Sequence, residues 1–355
     1  MIDSKVDYSI TLNETNVIKG IAICAMLWHH LFLESHEYGE VIFKLASTCK
    51  VCVALFVFLS GYGMAVQFGK VNLKGKFSTC VDVVKFLARR YFKFYLNYWI
   101  VFFISVPIGI FVFDRSLKTA YGSDLLVCFL RDVFGFQVYN SYNITWWFNS
   151  LILVLWVFFP ILYWVLKNKF VCVWVLVLIL FNPGGILSPL GLLAEFLLQY
   201  LVVFAFGICA AVHIDVINKV LNRVNGYVFL VASLIITILL LYMRNHYVLY
   251  CFWGMGGDPF IAIFLSLAVV SICRLCKTRM SVMAYLGKHS MNMYLTHTFI
   301  FGYFFRDFIY SFKYPILIFI ALLLSSLLLS IVIEFFKRKI RFYKLQQKVC
   351  LFLNK

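Results

Sequence analysis

Ten apolar runs of 15 to 23 residues divide this chain, at 17–33, 51–68, 95–113, 146–166, 170–186, 192–212, 227–243, 259–273, 291–308 and 314–336. A helix needs roughly 20 residues to cross a hydrocarbon core of about 30 Å, and most of the runs reach or approach that length. Inside lipid every backbone N–H and C=O must be satisfied within the segment, so a chain of this pattern folds as transmembrane α-helices. Composition agrees, with 63% hydrophobic and 13% charged residues, about half the charged share of a soluble domain. The predicted fold class is all-α, a polytopic transmembrane bundle of about ten spans over residues 1–336 with a basic tail at 337–355. One further run, 124–138, is short and carries Asp124, Arg131 and Asp132. It reads as an interfacial or re-entrant helix.

The net charge of +17 raises the question of a nucleic-acid partner. The cations lie in short runs between apolar segments rather than on one folded face, which is an orientation signal and argues against nucleic acid. With ten spans, 24 of the 32 Lys and Arg fall on the side that holds both termini. The positive-inside rule makes that side cytoplasmic and predicts a multi-pass protein of the plasma membrane. Most of the 11 cysteines sit within apolar runs and read as small buried hydrophobes. Cys273-x-x-Cys276 has no second pair at zinc spacing and reads as chance. The first run follows a polar stretch, contains two histidines and meets no small-residue cleavage motif, so it is expected to remain as a span.

Ionisable groups inside a span are costly and are functional candidates by default. In the first run Lys19 and His30 are eleven residues apart, three turns plus about 20°, and therefore share one helix face. His29 points roughly 80° away from that face. A rise of about 16 Å carries His30 from the cytoplasmic boundary to near mid-membrane. In the ninth run Ser290, Tyr294 and His297 fall at i, i+4 and i+7, a polar stripe with His297 about 13 Å beyond Lys288. Either histidine fits a reactive group at depth or a hydrogen-bonded member of a polar seam, and spacing leaves both open. Before the third run, Arg90 and Lys93 are one turn apart, as are Lys85, Arg89 and Lys93. Cations so placed suit a polyphosphate, anionic lipid headgroups or simple topology setting. Neither His30 nor His297 has a carboxylate or cysteine at ligand spacing, so no metal is expected.

Five stretches together resemble the integral-membrane acyltransferase family three, the O-acyltransferases of cell-surface glycans. Lys19-Gly20-Ile21-Ala22 with His30 resembles its first span. Phe56-Val57-Phe58-Leu59-Ser60-Gly61-Tyr62 resembles its F-x-x-L-S-G-F/Y. Arg90-x-x-Lys93 before Tyr98-Trp99 resembles its R-x-x-R-x-x-P-x-Y-W. Trp146-Trp147-Phe148 with Pro160, and Gly287-x-x-Ser290-x-x-x-Tyr294-Leu295-x-His297, resemble two further motifs. The chain departs from the pattern in three places. Lys93 replaces the usual second arginine, Asn97 replaces a common proline neighbour, and Ile152 stands where many relatives carry glutamate. The chain thus resembles more closely the branch that lacks that carboxylate, and no appended extracytoplasmic domain is expected.

The resemblance implies acyl transfer, most often acetyl, from a cytoplasmic acyl-coenzyme A such as acetyl-CoA to a hydroxyl of a cell-surface or lipid-linked glycan. The partners it implies are the acyl-CoA donor, the glycan or lipid-linked sugar acceptor and membrane lipid. His30 would serve as general base or transient acyl carrier, the choice staying open. Lys19, Arg90 and Lys93 would hold the donor's phosphates, while Tyr294, His297 and Trp147 would line the acceptor side. The alternative is a glycan or lipid-linked sugar transporter or flippase, which would also use many spans and mid-depth polar groups.

Overall fold

The computed structural model describes residues 6–34, 36–72, 80–137, 140–171, 173, 192–246 and 257–353. Every regular element among these residues is a helix. In chain order they are α1 (Leu12–Phe32), α2 (Glu40–Cys49), α3 (Cys52–Asn72), α4 (Cys80–Val112), α5 (Leu117–Tyr121), α6 (Leu125–Val133), α7 (Trp147–Lys167), α8 (Leu192–Val212), α9 (Ile214–Leu221), α10 (Gly226–His246), α11 (Asp258–Leu275), α12 (Ser281–Thr298), α13 (Arg306–Tyr310), α14 (Pro315–Lys339) and α15 (Phe342–Phe352). A 3₁₀ turn, Ile144–Trp146, leads into α7, and a π-helical turn, Phe299–Phe304, extends α12.

Nine of the ten expected spans fall on these helices, and the one expected at 170–186 lies largely outside the described residues. Among the described residues six stretches are long and apolar enough to cross a bilayer: Glu40–Lys70, Cys80–Val112, Ile144–Lys167, Gly226–Arg244, Asp258–Leu275 and Pro315–Lys339. The pair Gln199–Val212 and Ile214–Leu221, bent by 76°, gives a seventh candidate. The helices α1 and α12 are diluted by their own polar residues, among them Glu14, Lys19, His29 and His30 in one and Lys288, His289, Asn292 and His297 in the other. The short run read as interfacial or re-entrant is α6, whose nine residues span only about 14 Å and cannot cross. By contrast α4 has 33 residues, about 50 Å, so its basic first turns extend beyond a 30 Å core.

The chain divides into two compact units, one made of Met1–Gly75 and Phe158–Lys288, the other of Lys76–Val157 and His289–Lys355. In the first unit α1 starts on a capping box. The Glu14 amide donates to the Thr11 hydroxyl at 3.4 Å, and Glu14 Oε2 accepts from the Thr11 amide at 2.7 Å. Buried Glu14 also pairs with Arg274 Nε at 2.7 Å, which ties the start of α1 to the end of α11. The segment ahead of α1 is held by α9: Asn222 Oδ1 accepts from the Val6 amide and Asn218 Oδ1 from the Tyr8 amide, both at 2.8 Å. Beside them the Asp7 carboxylate accepts from the Ser9 hydroxyl and amide, which hold it below the usual carboxylate range.

Glycines permit close helix crossings in this unit. A Cβ on Gly61 would lie 2.3 Å from the Phe204 carbonyl oxygen, and one on Gly207 would lie 2.2 Å from that of Phe58, so α3 and α8 touch backbone to backbone. Helices in lipid associate through such close packing because they lack the hydrophobic drive available in water. Gly61 is the glycine of the Leu59-Ser60-Gly61-Tyr62 stretch, and the Phe204 carbonyl of α8 leaves no room there for a side chain.

In the second unit an aromatic core gathers around Trp146, which is fully buried. Its ring meets those of Tyr98, Phe102 and Phe299 at centroid distances of 5.3 to 5.8 Å. Its indole N–H donates to the Leu295 carbonyl at 3.0 Å. Asp132, at the end of α6, is buried and accepts from the Tyr121 hydroxyl at 3.0 Å and the Tyr142 amide at 2.7 Å. These bonds fix the loop between α6 and α7 onto the core.

Candidate functional site

The first unit carries Lys19 and His30, both half-buried, on one face of α1. The neighbouring His29 has a different environment. It is buried, and its Nδ1 hydrogen-bonds the Ala46 carbonyl of α2 at 2.8 Å. The rotation of about 100° between adjacent helical residues thus sends one histidine into a helix joint and leaves the other on the lysine's face. The same helix carries Gly20, where a Cβ would fall 2.0 Å from the Met283 carbonyl oxygen of α12. Reciprocally, a Cβ on Gly287 would fall 1.8 Å from the Asn16 carbonyl oxygen. The glycines beside Lys19 and Lys288 therefore bring the first turns of α1 and α12 into backbone contact. An apolar cavity of about 230 Å³ elsewhere in this unit, lined by Tyr8, Phe58, Tyr62, Phe206 and His213 among others, holds none of the expected site residues.

The second unit carries Arg90, Lys93, Trp147, Tyr294 and His297. Arg90 lies with its guanidinium carbon 4.8 Å from the centroid of the Trp156 ring, a cation–π contact across to α7. Its Nε has no hydrogen-bond partner among the described residues. Lys93, one turn on, is exposed. On α12 the Tyr294 hydroxyl donates to the Thr145 carbonyl at 2.9 Å, and the Thr145 and Thr298 hydroxyls meet at 2.8 Å. The residue two after Thr145 is Trp147, half-buried at the start of α7, so Tyr294 braces the turn that presents it. His297 is fully buried. Its Nδ1 bonds the Tyr294 carbonyl at 2.7 Å, its Nε2 lies 3.3 Å from the Thr298 hydroxyl, and its ring stacks on Phe301. Tyr294, His297 and the turn before Trp147 thus form one joint, and Arg90 sits apart from it on Trp156.

Three ionic features were not anticipated from the sequence. The Glu14–Arg274 pair and the buried Arg244–Asp258 pair, at 2.7 Å each, belong to the first unit. In the second unit Lys337, expected in the tail, is buried on α14 and paired with Glu334 at 2.9 Å. Glu334 offered a signal, since it is a carboxylate within the apolar run 314–336. No group of three or more His, Cys, Asp or Glu among the described residues is placed to hold a metal ion.

No curated protein and no solved structure matches this chain. A family model described as an acyltransferase domain matches residues 12–335, from the first residue of α1 to the last turns of α14. That match takes in both histidine-bearing helices and the basic start of α4, and with the apolar helices described above it shows that the chain belongs to acyltransferase family three, a family of membrane acyltransferases.

Proposed function

We propose that this membrane acyltransferase moves an acyl group, most simply acetyl, from a cytoplasmic acyl-CoA to a hydroxyl of a cell-surface or lipid-linked glycan. The observation that carries the reading is the contrast on α1, where His29 is committed to the Ala46 carbonyl while His30 shares a face with Lys19. In the proposed step the acceptor hydroxyl oxygen attacks the thioester carbonyl carbon, a C–O bond forms and the C–S bond breaks. His30 takes the hydroxyl proton and returns it to the departing coenzyme A thiolate. Lys19, Arg90 and Lys93 supply cations for the donor's phosphates, and Arg90 is pre-oriented by its tryptophan. Trp147 would offer a stacking surface to a sugar, with Tyr294 and His297 holding the turn that presents it.

Mass spectrometry of surface glycans from cells with and without the gene tests the reaction, and unchanged acylation would reject it. A purified transferase is also expected to bind or slowly hydrolyse acyl-CoA in detergent, which a glycan transporter would not do.

Two narrower results are expected. Tags fused at Met1 and at Lys355 should both report from the cytoplasm, since 24 of the 32 cations fall on that side. A C-terminal tag reporting from outside would overturn the even number of spans. Arg90→Ala and Lys93→Ala together should raise KM for acyl-CoA about tenfold or more while lowering kcat less, because phosphate contacts hold ground and transition states alike. An unchanged KM would leave the cluster as a topology signal only.

A further inference from the structure

Lys337 lies in the last turn of α14 and is 1% exposed. Its ammonium donates to Asn97 Oδ1 at 2.9 Å, Asn292 Oδ1 at 3.0 Å and Glu334 Oε1 at 2.9 Å. A lysine has three N–H donors, and all three are used. The surrounding groups are matched as well. Asn292 Nδ2 donates to Glu334 Oε1 at 2.8 Å, and the Tyr343 hydroxyl donates to the other Glu334 oxygen. His289 Nδ1 meets the Ser330 hydroxyl at 2.8 Å. Three helices of the second unit, α4, α12 and α14, are joined at this one nitrogen.

On α4 the partner is Asn97, and it faces two ways. Its Oδ1 accepts from Lys337, and its Nδ2 donates to the Lys93 carbonyl at 2.7 Å. Two hydrogen bonds therefore link the buried ammonium to the backbone of Lys93, one turn from Arg90. Burying an ion pair costs desolvation that an apolar pair would not, so stability is a poor reason for such a knot and geometric definition a better one.

We infer that Lys337 is a positioning residue for the acyl donor: it fixes, through Asn97, the turn of α4 that presents Arg90 and Lys93 to the donor's phosphates. The inference rests on the donor role proposed for those two cations. It does not require Lys337 to touch the donor, which its burial prevents.

Steady-state kinetics on purified enzyme in detergent test it, with Lys337→Met and Asn97→Leu as the variants. Asn97→Leu removes both hydrogen bonds of that link and leaves the Glu334–Lys337 pair intact. Should Lys337→Met fold poorly because Glu334 is orphaned, the double variant Glu334→Gln, Lys337→Met removes both charges. The expected result is a KM for acyl-CoA raised about tenfold, as when a charge-assisted contact is loosened, with kcat within about twofold of the parent. The inhibition constant of adenosine 3′,5′-bisphosphate, a fragment that carries donor phosphate without the acyl arm, should rise in parallel. A KM and inhibition constant that stay at parent values, or a fall in kcat alone, would overturn the inference. Arg90→Ala, Lys93→Ala assayed beside them separates the two readings. If it leaves KM unchanged the donor role itself fails, and if it raises KM while Lys337→Met does not, only the positioning role fails.

Discussion

Replacing His30 by alanine is expected to lower acyl transfer by about 10² to 10⁴, the usual contribution of a general base, or roughly 3 to 5 kcal/mol of barrier. The protein should still reach the membrane in normal amount, since His30 is half-buried on the face it shares with Lys19. His29→Ala should behave in the opposite way. Its imidazole bonds the Ala46 carbonyl at 2.8 Å, and deleting it leaves that acceptor unpaired at a cost of about 1 to 3 kcal/mol. The outcome should be less folded protein with substantial activity per molecule that folds. Glycan acylation normalised to membrane protein level, together with a thermal melt, distinguishes the two. Full activity in His30→Ala would sink the mechanism, and equal losses of specific activity in both variants would sink the face assignment.

The second large effect should come from Gly20→Ala or Gly287→Ala. The added methyl would sit 2.0 Å from the Met283 carbonyl oxygen in one case and 1.8 Å from that of Asn16 in the other. Both obstacles are backbone, so no side-chain rotation relieves them and the helices must separate. Overpacking of a well-filled interior typically costs about 1 to 3 kcal/mol, and a rigid backbone clash belongs at or above the upper end. Monodisperse protein recovered in detergent should fall severalfold and the melting temperature should drop. Gly63→Ala is the control, because a Cβ there meets nothing within 4 Å. Equal stability of Gly287→Ala and Gly63→Ala would show that the crossing of α1 and α12 is looser than described. The two glycine variants share one joint, so their combined effect should be less than additive.

These two experiments probe features that were legible to different degrees. The α1 helix, its shared Lys19–His30 face and the turned-away His29 follow from spacing, because 3.6 residues per turn is fixed by the backbone hydrogen bond whatever the helix packs against. The aromatic and glycine motifs were visible as well, but not their purpose. Gly61 and Gly287 read as motif letters until the carbonyl oxygens of Phe204 and Asn16 gave them a steric reason.

The sequence by itself determined the all-helical membrane architecture, the positions of nine of the described helical segments and the shortness of 124–138. Each of these rests on local terms, namely apolar length against bilayer thickness and helical period. What the tertiary structure alone decided is which polar residues are spent on holding helices together. Lys337, in a run of cations after an apolar segment, reads as a solvated tail residue, yet it is buried among Asn97, Asn292 and Glu334. His297, read as a lining group, is fully buried between Tyr294, Thr298 and Phe301. The partners of Lys337 are up to 240 residues away in the chain. A hydrogen bond across that separation depends on how helices pack, and helix packing leaves no period in a single sequence.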